Sequence, residues 1–414
     1  MQKTNRYRIL LVSSHPVQYA SPLFRQMAAH PRLQITVAYC SLQGAESGLD
    51  PEFGCDVKWD VPLLDGYPWM QLRNWSRRPG LGRFCGLVNP SLWKIISQRS
   101  HDAVVIYTGY RYASFWIALA AAKLARVPIL FGTDASSLRA RDGARWKALV
   151  KRYLWPWFFR TADQMIVPST ATFNLMMSLG FPNERLTMTP FVVDNHWWES
   201  ETARLDREEV RAKWSLPADS VVVAFCAKLQ PWKRPLDMLR AFAKISATNS
   251  FLLVAGDGPL RKDMESEAAA LGVAERVRML GFVNQTQLPS VYRASDVFVL
   301  PSDYEPFGLV VNEAMLCGCA VAVSDRVGAG PDLVQAGITG FVFPCGDVES
   351  LAQILRELAD DPARIQTLGV AASKRMQTWS FSEHVSGLLE AIERAIANEA
   401  SSPRKKQAQT DASD

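Results

Sequence analysis

Three features of the 414-residue chain predict an α/β protein built from two doubly wound, Rossmann-like domains facing across a cleft. Short apolar runs alternate with amphipathic helical stretches, the pattern of parallel sheets covered on both faces by helices. The alternation comes in two successive blocks. The residues able to do chemistry cluster just after the apolar runs, where open α/β sheets bind their ligands.

In the first block, strands are expected at 8–13, 34–39, 103–107, 128–132, 164–167 and 186–189, with helices at 22–29, 112–125, 144–160 and 171–178. In the second, strands are expected at 221–227, 251–255, 277–280, 297–300, 320–324 and 341–343. Helices near 235–247, 259–271, 287–294 and 308–317 separate them, and 351–358, 362–377 and 383–398 follow. The expected organisation is therefore an N-terminal domain over 1–194 and a C-terminal domain over 219–378. Between them, 195–218 is charged and poor in apolar residues, and reads as an interdomain linker. The helix over 379–400, opened by Trp379, is expected to cross back to the first domain, and the polar tail 401–414 to be disordered.

Composition narrows the function classes. At 48% hydrophobic and 21% charged, the chain has ordinary globular usage. A net charge of +5 suits anionic small molecules or an anionic membrane surface. No zinc-finger spacing, RNA-binding aromatic pair or basic heptad helix supports a nucleic-acid partner. Seven cysteines without a Cys-x-x-Cys point to reduced thiols in a cytoplasmic protein; the close pair Cys317 and Cys319 is better read as small-residue packing than as a metal site. The run 9–12 is too short for a secretory signal, and Lys123 and Arg126 interrupt 113–131, so at most peripheral contact with the inner face of a membrane is expected.

The most informative stretch is Ser302-Asp303-Tyr304-Glu305-Pro306-Phe307-Gly308-Leu309-Val310-Val311-Asn312-Glu313-Ala314. Pro306 suits the start of a helix and Gly308 a close backbone approach. Glu305 then stands at a helix N-terminus, with Glu313 about two turns further in. The N–H groups of such a terminus suit a phosphate. Two acids flanking it can bind hydroxyls on either side, as in a sugar nucleotide. Taken alone, the pair reads more readily as a helix cap and a surface acid; the company it keeps favours the site. Lys228 and Lys233 follow one apolar run, Gly256-Asp257-Gly258-Pro259 the next, then Gly281-Phe282-Val283, and Val327-Gly328-Ala329-Gly330-Pro331 after the fifth. Gly256-Asp257-Gly258 lacks the third glycine of a dinucleotide loop, which argues against an NAD enzyme.

In this order, over about 221–347, these motifs resemble the family 4 retaining glycosyltransferases of the GT-B fold (glycosyl transferases group 1). The resemblance implies that a nucleotide-diphosphate sugar binds the C-terminal domain and that the acceptor, a glycan or lipid-linked glycan of polysaccharide biosynthesis, binds the N-terminal one. It implies that Lys228 and Lys233 grip the diphosphate, where relatives carry arginine at the first position preceded by glycine rather than Ala227. Glu305 would meet the transferred sugar near its reacting carbon, and Glu313 the ribose hydroxyls. The amides of Phe307, Gly308 and Leu309 would face the phosphates, Gly256 the donor, and Phe282 the base. Two lysines and a helix N-terminus can stabilise a leaving diphosphate without a metal, and no Asp-x-Asp motif stands out, so neither metal nor cofactor is expected.

On the acceptor side, His15-Pro16-Val17-Gln18-Tyr19 follows the first strand in place of the family's glycine-rich turn, and resembles a sub-group variant. His15, Gln18 and Tyr19 would face the cleft, or else His15 caps the helix and Tyr19 is core. Thr133-Asp134 stands where relatives often have a histidine; Asp134 would orient an acceptor hydroxyl or take its proton, or merely cap the next segment. The basic, tryptophan-rich stretch 145–160 either lies on an anionic membrane or packs under the sheet, with Pro156 breaking its regularity. Two rival functions use the same donor side: a GT-B-fold nucleotide-sugar epimerase, and a donor-binding relative without catalysis.

Overall fold

A computed structural model describes residues 6–46, 48–50, 55–245 and 249–401. The expectation of a disordered tail, and the side chain of Cys55, lie outside the described residues. The N-terminal half runs β1 (Tyr7–Ser13), α1 (Ala20–Ala29), β2 (Leu33–Tyr39), the hairpin β3 (Gly48–Asp50) and β4 (Cys55–Val57), β5 (Trp69–Gln71), α2 (Ser91–Ser97), β6 (Ala103–Ile106), α3 (Ala113–Ala125), β7 (Ile129–Gly132), α4 (Arg145–Phe159), β8 (Gln164–Val167), α5 (Thr170–Ser178) and β9 (Leu186–Met188). Seven of these strands form one parallel sheet in the order β5-β2-β1-β6-β7-β8-β9. Strands β1, β6 and β8 are buried almost throughout, which is why they read as continuous apolar runs rather than alternating ones.

The second half follows with α6 (Asn195–Ala203), α7 (Arg207–Lys213), β10 (Val221–Cys226), α8 (Pro235–Ala243), β11 (Ser250–Ala255), α9 (Arg261–Ala270), β12 (Val277–Gly281), α10 (Leu288–Ala294), β13 (Val297–Leu300), α11 (Leu309–Leu316), β14 (Ala320–Ser324), α12 (Gly330–Leu333), β15 (Gly340–Phe343), α13 (Val348–Ala359), α14 (Pro362–Met376) and α15 (Phe381–Ser401). Its six parallel strands are ordered β12-β11-β10-β13-β14-β15. Strand order reverses between β10 and β13, so the loops leaving those two strands flank the crevice of an open α/β sheet.

Several elements depart from the sequence-based expectation. The segment 195–218 carries two packed helices. Trp198 and Arg211 are buried there, and the Arg211 guanidinium bonds the carbonyls of Ala294, Ala218 and Ser220 and pairs with Asp296 at 2.7 Å. The edge strand β5 and helix α2 have no apolar period strong enough to announce them. Pro156 sits inside α4 without ending it; Trp155, Phe158 and Phe159 pack into the core and hold the turn on either side.

The two halves are joined by a small aromatic hinge. Helix α15 lies on β7, β8 and β9 of the first sheet. Gly387 allows this approach, since a Cβ there would fall 2.0 Å from the Met188 carbonyl oxygen. Nδ1 of the buried His384 bonds the Pro190 carbonyl at 2.8 Å, and burial lowers its pKa to about 4, keeping the ring neutral. Next to it, the Trp379 indole donates to the Phe191 carbonyl at 2.7 Å, and Asn195 Nδ2 donates to the carbonyls of Met376 and Trp379. Phe307, from the acidic motif, stacks on Trp379 (centroids 6.3 Å apart, planes 6° from parallel) and meets Phe191 edge-on at 5.5 Å.

Trp379→Ala removes the stacked ring and the indole donor together. It is expected to lower unfolding free energy by about 3–5 kcal/mol, measured by urea denaturation.

Candidate active site

The loop after β10 places Lys228 half-buried at the strand's carboxyl end and then makes a short 3₁₀ turn, Pro231–Lys233. The turn closes at Arg234, which adopts φ 53°. The loop after β13 holds Asp303, Tyr304 and Glu305. A backbone bond from the Asp303 amide to the Trp232 carbonyl, 2.8 Å, ties the two loops together. Lys233 Nζ and a Glu305 carboxylate oxygen form an ion pair, with the side chains only 18% and 13% exposed. The structure therefore brings together, as direct partners, two residues expected on different parts of one ligand.

A third loop backs this turn. The Gly328 amide donates to the Glu305 carbonyl (3.0 Å) and the Ala329 amide to the Phe307 carbonyl (2.9 Å). A side chain at Gly328 would put its Cβ 1.8 Å from the Pro306 oxygen, so only glycine lets the third loop close on the second. Gly308 takes φ 100° at the N-cap, and α11 begins at Leu309. Pro306 accordingly precedes the helix rather than opening it. Leu309 is the first residue of the helix, while the Phe307 ring turns away into the hinge.

Glu313 lies deeper, 8% exposed, and accepts a hydrogen bond from Tyr292 Oη at 2.9 Å. Burial raises its pKa to about 8, against the smaller downward pull of that bond. Gly256 has φ 149°, and a Cβ there would fall 1.9 Å from the Ala227 carbonyl oxygen. Its need for glycine comes from that contact between adjacent strand ends. Asp257 caps the following turn through Gly258 N and pairs with Arg261 at 2.9 Å. Phe282 meets Trp59 of the N-terminal half edge-on at 6.3 Å, and beside it Asn284 Nδ2 donates to the Lys58 carbonyl at 2.7 Å.

Across the cleft, His15 neither caps α1 nor enters the core. Its Nδ1 lies 2.9 Å from Ser14 Oγ, and burial lowers its pKa. Gln18 is half-buried. Tyr19 occupies the N-cap position of α1 without a capping bond and is 41% exposed. Asp134 follows β7, and the local cap there is Thr133, whose hydroxyl accepts from the Ala135 amide at 3.2 Å. Asp134 keeps an exposed edge, and partial desolvation of its carboxyl raises its pKa; the Glu305 charge adds to the rise and Lys151 opposes it. Desolvation also raises the phenols of Tyr19, Tyr110 and Tyr304, with Asp134 contributing to each. Asp134 and Glu305 thus share one field from opposite lobes.

Lys151 comes from α4, which has two faces. Trp155, Phe158 and Phe159 pack on Tyr110, Phe115 and Phe131, and Lys151 lies over the Trp155 ring at 5.0 Å. The opposite face exposes Trp146, Leu149, Val150, Tyr153, Leu154 and Trp157, all 43–75% accessible. Their i, i+3, i+4, i+7 spacing makes one continuous apolar stripe.

The sequence reading missed Tyr110, Tyr304, Lys151, Tyr292 and two arginines, Arg139 and Arg141. Arg139 pairs with both carboxylate oxygens of Asp303 (2.8 and 2.9 Å), and the Arg141 guanidinium lies 3.3 Å from the Trp232 ring centre. Tyr304 and Asp303 lie in the acidic stretch and Lys151 in the stretch 145–160, both already singled out; Tyr110, Tyr292, Arg139 and Arg141 lie outside them. Among the described residues, no group of three or more His, Cys, Asp or Glu is placed to hold a metal ion.

The family model described as "Glycosyl transferases group 1" matches residues 206–375, and that described as "Glycosyl transferase 4-like domain" matches 16–191. The chain carries a group 1 glycosyltransferase domain and a glycosyl transferase 4-like domain. Among curated relatives, the D-inositol 3-phosphate glycosyltransferase of Rhodococcus opacus is 36% identical over 202 residues, which is 47% of this chain and 45% of that protein. That of Mycolicibacterium smegmatis is 35% identical over 199 residues, 46% and 44% of the two chains. The chain thus spans less than half the length of the curated relatives it matches. Solved structures share the GT-B fold over nearly the whole chain. HepE of Anabaena, in complex with UDP and glucose, superposes with a TM-score of 0.69 at 20% identity, covering 94% of this chain and all of that one. A glycosyltransferase from Rickettsia africae gives 0.72 at 15% identity, covering 95% and 99%.

In the group 1 domain, the raised Glu313 pKa fixes the sign of a pH effect. The folded value of about 8 lies above the ordinary 4.5, so the folded state binds the proton more tightly. The associated stability is complete below about 4.5 and is lost as pH rises through 8, at roughly 1.4 kcal/mol per pH unit between the two values. Glu313→Gln keeps the shape without the charge. Its melting temperature relative to wild type is expected to rise from pH 5 to about pH 8 and to level off by pH 9, followed by thermal denaturation across that range.

Proposed function

We propose that this chain transfers a sugar from a nucleotide-diphosphate sugar to a hydroxyl of a glycan or lipid-linked glycan, with retention of configuration and without a metal. The observation that carries the reading is the Lys233 and Glu305 pair, held by the two loops on either side of the strand-order reversal. HepE, whose structure contains UDP and glucose, has the same fold and supports a nucleotide-sugar donor.

In this reading the bond between the anomeric carbon and the diphosphate oxygen breaks while the acceptor oxygen bonds to that carbon. Lys228, Lys233 and the amides at the start of α11 stabilise the charge left on the diphosphate. Glu305 contacts the transferred sugar, and Glu313 the ribose. Phe282 borders the base. Asp134 receives the acceptor's hydroxyl proton, helped by a pKa above the ordinary carboxylate value. His15, Gln18 and Tyr19 form the floor of the acceptor side.

A lipid-linked acceptor fits the outer face of α4. Its apolar stripe carries two tryptophans and a tyrosine, with Arg145, Lys147, Arg152 and Arg160 alongside. That combination suits the interface of an anionic membrane, here its cytoplasmic face. Among the described residues, no helix is long and apolar enough to cross a membrane.

Glu305→Ala is expected to lower sugar transfer by at least about a hundredfold. The assay offers purified protein a panel of UDP- and GDP-sugars with lipid extract, and wild-type turnover in the variant would remove the proposed site. Turnover without any acceptor would instead favour an epimerase. In sedimentation with phosphatidylglycerol vesicles, the triple variant Trp146→Ser, Tyr153→Ser, Trp157→Ser is expected to stay in the supernatant under conditions where wild type pellets. The wild-type association should weaken in high salt.

A further inference from the structure

Arg139 and Arg141 come from one N-terminal-lobe segment, 133–144, and both end on the donor loops of the other lobe. Arg139 holds Asp303 with two parallel N–H···O contacts, the strong and directional form of this pair. The Arg141 guanidinium carbon lies over the Trp232 ring, 3.3 Å from its centre. Asp303 and Trp232 are themselves joined through their backbones. Asp303 is two residues from Glu305, and Trp232 is next to Lys233. The segment that carries these arginines also carries Asp134.

We infer that Arg139 and Arg141 are positioning residues: they form a latch that closes the cleft and sets the distance between the acceptor side at Asp134 and the donor side at Glu305. The inference rests on the glycosyl-transfer reading for its kinetic consequence, and on geometry alone for the closure. Three points support a closed cleft. The arginine latch holds one rim. The opposite rim is bridged by Asn284 to the Lys58 carbonyl and by the Thr286 amide to Asp60 at 3.1 Å. The aromatic hinge around Phe307 and Trp379 joins the lobes behind both.

The energetics fit a latch better than a structural strut. The side chains of Arg139 and Asp303 are 46% and 30% exposed, so water competes for both, and even in bidentate form the pair adds only modestly to global stability. A contact that is geometrically specific yet easily broken is what a cleft needs if it must open for a nucleotide sugar and shut for reaction. Shut, it excludes water that would otherwise take the sugar.

The test uses the full chain and Arg139→Glu, which turns the pair into a repulsion, alongside the swap Arg139→Glu with Asp303→Arg. Both should melt close to wild type. By small-angle scattering, the single variant should show a larger radius of gyration and the swap should return to the wild-type value. With UDP- and GDP-sugars as donors, the single variant should lose about tenfold in kcat for transfer. The share of sugar released to water should rise at the same time. The swap should recover most of both, and Arg141→Ala should show a weaker version of the same shift. A single variant with wild-type scattering, or a swap as open as the single variant, overturns the latch. Wild-type protein that consumes no donor would count against the glycosyl-transfer reading, and the scattering comparison would still decide whether the arginines close the cleft.

Discussion

A carboxylate and an ammonium pressed together at the ends of β10 and β13 impose the central constraint on this molecule. Both side chains are largely withdrawn from water, so neither loop can move far without stranding a charge. The surrounding backbone is arranged to keep them together. The Asp303 amide ties one loop to the other, and Gly328 lets a third loop press against the back of the acidic turn. The need for glycine at 328 follows from a carbonyl occupying the space a side chain would fill.

Phe307 shows how this site is coupled to the arrangement of the lobes. Its backbone belongs to the turn that carries Glu305, while its ring is held by Phe191 and Trp379 at the hinge. A change in the angle between lobes therefore bears on the donor turn through a rigid aromatic contact. Asp134 and Glu305 influence one another from opposite lobes, so the field between them also depends on how the lobes meet. Helix α4 extends the same linkage outward: one face packs on Tyr110 beside Asp134, and the other is open and apolar.

Much of the fold could be read along the chain because the strands buried on both faces leave continuous apolar runs between helical periods. β10, β13 and β14 are of this kind, and their limits are legible within a residue or so. Elements without that signal were not. β5 is three residues long at a sheet edge, and α6 and α7 hide in a charged segment whose one deeply buried cation, Arg211, is satisfied by carbonyls far away in sequence as well as near. Lys228, Lys233, Glu305 and Glu313 were singled out by the loops they share with other motifs at the strand ends and by the resemblance those motifs carry. Their partners were invisible. Tyr292 lies 21 residues before Glu313, and nothing local marks it as the donor of a buried hydrogen bond.

Local chemistry along the chain settles the alternation of strands and helices, the glycine-dependent turns and the types of charged group at the strand ends, because each depends on residues within a few positions of one another. Which charges become partners is decided only when the sheets twist and the lobes meet. Arg139 finds Asp303 across 164 residues, Lys233 finds Glu305 across 72, and one proline sits inside a helix held by aromatic packing. The physical reason is that desolvation, ion pairing and ring contacts depend on distance in space, which sequence separation does not encode.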